Sequence, residues 1–141
     1  MNMKQFVTFK IDEDLLGIDV LRVREINPGL EITPVPKAPQ YVRGLVNLRG
    51  ETITVFDLGI RLGLVPRDIT EASHHVVLKS QPVGLLVDSI GDMVQCGEHQ
   101  VEAPPANVGG IEGKYIEGVV RLNSELLVIL NTGKILEYDG V

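Results

Sequence analysis

Residues 41–64 read YVRGLVNLRGETITVFDLGIRLGL. Two apolar-rich runs, 45–48 and 52–58, meet at Arg49-Gly50-Glu51-Thr52. In the second run Ile53 and Val55 point one way and Thr52 and Thr54 the other, the period of a half-buried strand. Gly50 supplies a residue able to take positive φ between the runs, so the stretch predicts a β-hairpin. Asp57 stands where a helix N-cap would be, Leu58 and Leu62 share one helical face, and Gly63 can end the helix. Gly59 within it costs about 1 kcal/mol relative to alanine, which predicts a helix of only a turn or two.

The pattern returns at 115–133, YIEGVVRLNSELLVILNTG. Laid under 41–59 without a gap, it repeats Tyr41 as Tyr115, Gly44 as Gly118, Val46 as Val120, Leu48 as Leu122, Glu51 as Glu125 and Gly59 as Gly133. Upstream, Leu16-Gly17-Ile18-Asp19-Val20 resembles Val83-Gly84-Leu85-Leu86-Val87. Repeated glycines mark backbone geometry rather than hydrophobicity, so the chain reads as a duplication. Each half would hold a hairpin, a Pro/Gly-rich loop, a second hairpin and a short helix. The boundaries expected from sequence are roughly 1–66 and 73–141, with exchange of strands between halves allowed.

Composition narrows the function classes. A chain of 141 residues with 44% hydrophobic content buries a sizeable core and is not disordered. No apolar run is long enough for a transmembrane helix, and the first residues lack the apolar core of a signal peptide. The lone Cys96 excludes an intrachain disulfide, so a cytoplasmic home is expected. A net charge of −6 repels a phosphate backbone, and with no tryptophan and only six scattered Tyr and Phe there is no stacking platform for single strands.

Along the chain, Gln5–Lys10 and Leu15–Val20 form a first hairpin around an acidic turn, Asp12-Glu13-Asp14. Residues 20–26 fit a strand or a single helical turn. The three prolines of 31–39 make an extended connector, and 65–73 is a polar crossover. Val76–Leu78 and Val83–Val87 form the next hairpin, Ala103–Gly113 is the segment most open to motion, and 132–138 is a short C-terminal helix.

Candidate chemistry fails on spacing. His74 and His75 would face opposite sides of a strand and cannot share a metal. Cys96 and His99 have the spacing of half a zinc site, with no second pair nearby. Gly113-Lys114 and Gly133-Lys134 lack the earlier glycine and the following Ser or Thr of a phosphate loop. No nucleophile, base and orienter assemble, so neither catalysis, a metal nor a cofactor is expected. A small β-barrel hydrolase or nucleic-acid binder, the reading from another class, would need a constellation or a basic face that the sequence lacks. Arg49 stands out, because it lies in the most apolar part of the chain and its counterpart in the repeat is Asn123. It would be tied to a carbonyl or carboxylate at the junction of the halves.

Tyr41-Val42-Arg43-Gly44-Leu45-Val46-Asn47-Leu48-Arg49-Gly50, the alternating run after it and Asp57-Leu58 resemble the hallmark of CheW-type chemotaxis coupling proteins. So do 16–20 with Val23-Arg24-Glu25-Ile26, and Val83-Gly84-Leu85-Leu86-Val87-Asp88. The resemblance implies a mainly β fold of two five-stranded SH3-like β-barrel lobes packed on each other, with short helices including one at the C-terminus. It implies a non-catalytic adaptor, a monomer when free, that joins the cytoplasmic tip of methyl-accepting chemoreceptors to the regulatory domain of a CheA-type histidine kinase. A related pathway controlling twitching motility or second-messenger output is the alternative. The resemblance carries receptor contact onto Val23 and Glu25, the groove between lobes onto Arg49 with Gly50, and a second-lobe partner surface onto Val87 and Asp88.

Overall fold

The computed structural model describes residues 2–29 and 31–137. The strands, in chain order, are β1 (Met3–Ile11), β2 (Asp14–Asp19), β3 (Val23–Pro28), β4 (Val42–Leu48), β5 (Glu51–Asp57), β6 (His74–Leu78), β7 (Val83–Val87), β8 (Ser89–Ile90), β9 (Val94–Gly97), β10 (Asn107–Val108), β11 (Ile111–Glu112), β12 (Ile116–Arg121) and β13 (Leu126–Leu130). Two short helices, α1 (Leu58–Arg61) and α2 (Thr132–Leu136), follow the repeated hairpins. The end expected for α2, Tyr138, lies outside the described residues.

The hairpin at 41–64 forms as its pattern predicts. Leu48 pairs with Glu51 across a two-residue turn, in which both Arg49 (φ 50) and Gly50 (φ 85) are left-handed. That is the turn whose twist matches flanking strands. Ile53 and Val55 are buried, and Asp57 caps α1 by accepting from the Ile60 N–H at 3.1 Å. The second hairpin copies the strand register of the first but not its left-handed turn, since neither Asn123 nor Ser124 has positive φ. Its strands β12 and β13 shift register between Ile116 and Gly118, as β4 and β5 do between Val42 and Gly44.

The described strands make two large sheets and a separate two-stranded one, β10–β11. One runs β3-β6-β7-β5-β4; the other runs β12-β13-β2-β1-β8, with β9 also on β1. The second sheet thus has six strands rather than the five expected. The loop at Gly91 folds over β1, donating its N–H to the Thr8 carbonyl while the Thr8 hydroxyl donates to the Asp92 carbonyl, and this splits one edge strand into β8 and β9. Strands β1 and β2 join the second sheet, and β6 and β7 join the first. The cause is the pairing of β2 beside β13 and β7 beside β5, both parallel, so the two upstream hairpins have traded places. A three-residue 3-10 turn, Val20–Arg22, carries the chain from one sheet to the other, so residues 20–26 hold both of the structures their sequence allows. One sheet is therefore a continuous stretch of chain and the other wraps around it.

The five-stranded sheet is rolled. Strands β3 and β4 are its opposite edges, yet Thr33, just beyond β3, pairs with Leu45 of β4. Glu102, beyond β9, pairs with Val119 of β12 in the same way. Each roll encloses a small core: Val46, Ile53, Val55 and Leu86 in one, Phe6, Val120, Leu127 and Ile129 in the other. The largest cluster lies between the sheets and draws on both, with Phe9, Leu16 and Ile18 from one and Val76, Leu85 and Val87 from the other. The segment 103–113 carries its own hairpin, β10–β11, and buries Ile111 in that shared cluster.

His75 is 1% exposed in β6, while His74 is half-buried and places Nδ1 2.7 Å from the Ala72 carbonyl. Neither ring nitrogen of His75 has a partner. Its strand neighbours are Asn27 and Leu86, so burial, with a smaller contribution from His74, pushes its pKa below the usual 6.5. The unfolded chain then binds this proton more readily than the folded one. Stability from the neutral ring is complete above about pH 6.5 and falls as the pH drops below that value. The matching position in the other sheet is Phe6. His75→Phe should flatten this slope between pH 7 and 5 in denaturant titrations and raise stability by about 1 kcal/mol or more, because an unsatisfied buried polar group is removed.

Candidate functional site

The residues singled out from sequence fall in two groups. The first lies on β3 and the tip of the β4–β5 hairpin. Rolling of the sheet brings Glu25 to Arg49, whose Nη2 stands 2.6 Å and 2.8 Å from the two carboxylate oxygens. Arg24 adds contacts to Glu25 at 3.2 Å and to Glu51 at 2.7 Å. The Arg49 hydrogen bond is the main cause holding the Glu25 carboxyl below the usual range. The Arg49 side chain is 66% exposed, so the pair is set out in solvent. Its placement comes from the left-handed turn, which the Asn47 side chain supports by accepting the Gly50 N–H at 3.0 Å. The expected tie of Arg49 to a carboxylate is present, but not at a junction between halves: its partner Glu25 belongs to the same five-stranded sheet. Val23 begins β3 and is largely buried in the shared core.

The second group is elsewhere. Val87 is fully buried between the sheets, so its side chain presents nothing to solvent. Asp88 follows it and binds across the sheets, taking the Asp12 N–H at 2.8 Å and Arg67 Nη1 at 3.2 Å.

Asp88 leads to a polar junction that sequence reasoning did not find. Asp57 is 0% exposed. Beyond capping α1, it accepts the Arg67 N–H at 2.9 Å and Arg43 Nη1 at 3.0 Å. Arg43 also donates to the Arg67 carbonyl at 2.7 Å. The Arg67 guanidinium, 5% exposed, reaches Asp12 at 3.1 Å. On the far side of α1, Arg61 is buried between Tyr41 and Tyr115 and donates to the carbonyls of Ile135 and Glu137 at 2.7 and 2.6 Å. A cation on the carbonyl end of α2 suits the helix dipole and satisfies carbonyls that lack intrahelical partners. The Asp12 contacts of Arg67 and Asp88 and the α2 contacts of Arg61 tie the two sheets together, while those of Asp57 stay within residues 43–67.

Among the described residues, no three His, Cys, Asp or Glu side chains are grouped to hold a metal ion. Cys96 is buried in the core of the six-stranded sheet, where burial raises its thiol pKa. No described helix is long and apolar enough to cross a membrane.

Two rolled sheets on a shared core, tied by the buried arginines Arg61 and Arg67 and carrying exposed ion pairs at a strand edge and a hairpin tip, define a β scaffold of two interlocked lobes. The chain belongs to the CheW-like domain family, whose model matches residues 5–139. It is 34% identical over 137 residues to a chemotaxis protein CheW of Treponema pallidum, covering 93% of this chain and 81% of that one. To the chemotaxis protein CheW of Thermotoga maritima it is 33% identical, covering 96% and 90%. The crystal structure of the scaffolding protein TtCheW from Thermoanaerobacter tengcongensis superposes with a TM-score of 0.89 at 29% identity, over 100% of this chain and 92% of that one.

Proposed function

We propose that this chain is a non-catalytic cytoplasmic adaptor that couples the tips of transmembrane chemoreceptors to the regulatory domain of a CheA-type histidine kinase. The observation that carries the reading is the family match across nearly the whole chain, joined to an ion-pair network that leaves Arg49 in solvent. Glu25 marks the receptor side, with Val23 beneath it at the start of β3, Arg49 with Gly50 marks the groove beside it, and Asp88 marks the second surface. Individually modest contacts suffice, because an array gains strength from multivalency.

The test is titration against a receptor tip fragment and the kinase regulatory domain of the same organism. Binding to both is expected; a folded sample that binds neither overturns the reading. Arg49→Ala should leave the circular dichroism spectrum and melting temperature unchanged while weakening assembly, since an exposed ion pair contributes little to folding. An unfolded variant would make the arginine structural. Glu25→Arg reverses a charge at the site and should weaken receptor binding roughly ten-fold with little effect on kinase binding. Equal loss of both would remove Glu25 from the receptor side.

A further inference from the structure

The pairing makes the two sheets comparable position by position. Ile129 faces Gly17 as Val55 faces Gly84, and Thr8 faces Gly17 as Val77 faces Gly84. The bridge from Glu102 to Val119 matches that from Thr33 to Leu45. The correspondence sets Phe6 against His75, Asp19 against Leu86, Val101 against Ile32, Glu117 against Arg43 and Ile129 against Val55. In the five-stranded sheet this place is solid. His75, Leu86 and Val55 are buried, Ile32 packs on their cluster, and Arg43 is held by Asp57 and the Arg67 carbonyl.

In the six-stranded sheet the same place is a cavity of about 340 Å³. Its floor is the buried pair Phe6 and Ile129, with Val101 beside them and charged residues around the mouth. An apolar plug, Leu86, has become Asp19, which is already engaged by Lys4 at 3.7 Å and by the Leu21 N–H at 2.9 Å. Glu98 is likewise engaged, by the Asn2 amide at 3.1 Å. Two rim side chains of opposite sign, Arg22 and Glu117, have no ion pair or side-chain hydrogen bond among the described residues.

We propose that this cavity docks a partner polypeptide segment that presents an apolar side chain to the Phe6–Ile129 floor, with an acidic residue for Arg22 and a basic residue for Glu117. An apolar floor inside a polar ring is the arrangement in which one inserted side chain contributes most of a contact. The volume lies in the range of real ligand pockets, and the two unengaged charges set the order of the flanking residues. A nucleic acid would meet three carboxylates against two cations at the rim. The pocket is on the sheet opposite Glu25 and Arg49, so it adds a surface to the adaptor rather than restating that one.

The experiment is a titration of the ¹⁵N-labelled full chain with the capped peptide Glu-Leu-Lys, followed by amide shifts. The amides of Phe6, Val101 and Ile129 should shift saturably, with a Kd on the order of 1 mM. The peptide Glu-Ala-Lys, and the Arg22→Gln/Glu117→Gln variant with its spectrum otherwise intact, should each bind at least about five-fold more weakly. Shifts that do not saturate, that scatter over the surface, or that survive both changes would overturn the proposal. Neither kinase nor receptor enters the experiment, so its failure leaves the coupling function standing.

Discussion

Asp57→Ala should cost about 3–5 kcal/mol of unfolding free energy, the range for breaking a buried ion pair by removing one partner. The aspartate is 0% exposed and serves three donors: the Ile60 N–H, the Arg67 N–H and the Arg43 guanidinium. Alanine removes the N-cap of α1, alone about 1 kcal/mol, leaves the partly buried Arg43 cation without its carboxylate, and leaves the buried Arg67 N–H without an acceptor. A domain of this size is stable by only about 5–15 kcal/mol, so the loss is a large fraction of the whole. Asp57→Asn separates the terms. It keeps the capping oxygen but not the charge, and it should fall between wild type and alanine in urea or guanidinium titrations. A loss under about 1 kcal/mol for the alanine variant would show that the buried network around Asp57 adds little to stability.

The repeat carried the signal for that junction. Asp57 aligns with Asn131, and both cap a short helix, Asn131 by accepting the Lys134 N–H at 3.1 Å. Arg43 aligns with Glu117. Where the cation is present the cap is an aspartate, and where the cation is replaced by a carboxylate the cap is a neutral asparagine. Reading the differences between the halves, and not only their identities, would have paired Asp57 with Arg43. The hairpins, turn residues, short helices and duplication were legible because each rests on local periodicity or a local glycine. The exchange of hairpins was not, because it depends on which of two similar partners β2 and β7 meet in parallel, and both choices bury the same apolar faces. The pairing of Glu25 with Arg49 was out of reach for the same reason, since it exists only once the sheet has rolled.

Gly44→Ala should be the most damaging of the glycine substitutions in the repeated hairpins, at about 3 kcal/mol or more, by two costs that add. Its φ of 150° lies where L side chains are strained, and a Cβ there would run into the Thr33 carbonyl. That carbonyl accepts the Leu45 N–H at 2.8 Å in the bridge that closes the rolled sheet, so it cannot retreat without opening the roll. Gly118 occupies the same place in the other hairpin, but only the crowding applies. A Cβ would stand 2.9 Å from the Glu102 carbonyl and 2.7 Å from a Val101 methyl, and the methyl can rotate away. Gly118→Ala should therefore cost about 1–3 kcal/mol. Gly50 has the strain without the crowding, with φ 85° and nothing within 4 Å, so Gly50→Ala should cost about 1–2 kcal/mol. Denaturant midpoints of the three variants test the order. If Gly44→Ala proved no worse than Gly50→Ala, closure of the roll by Thr33 would contribute nothing measurable. The glycine would then be kept for its dihedral angle alone.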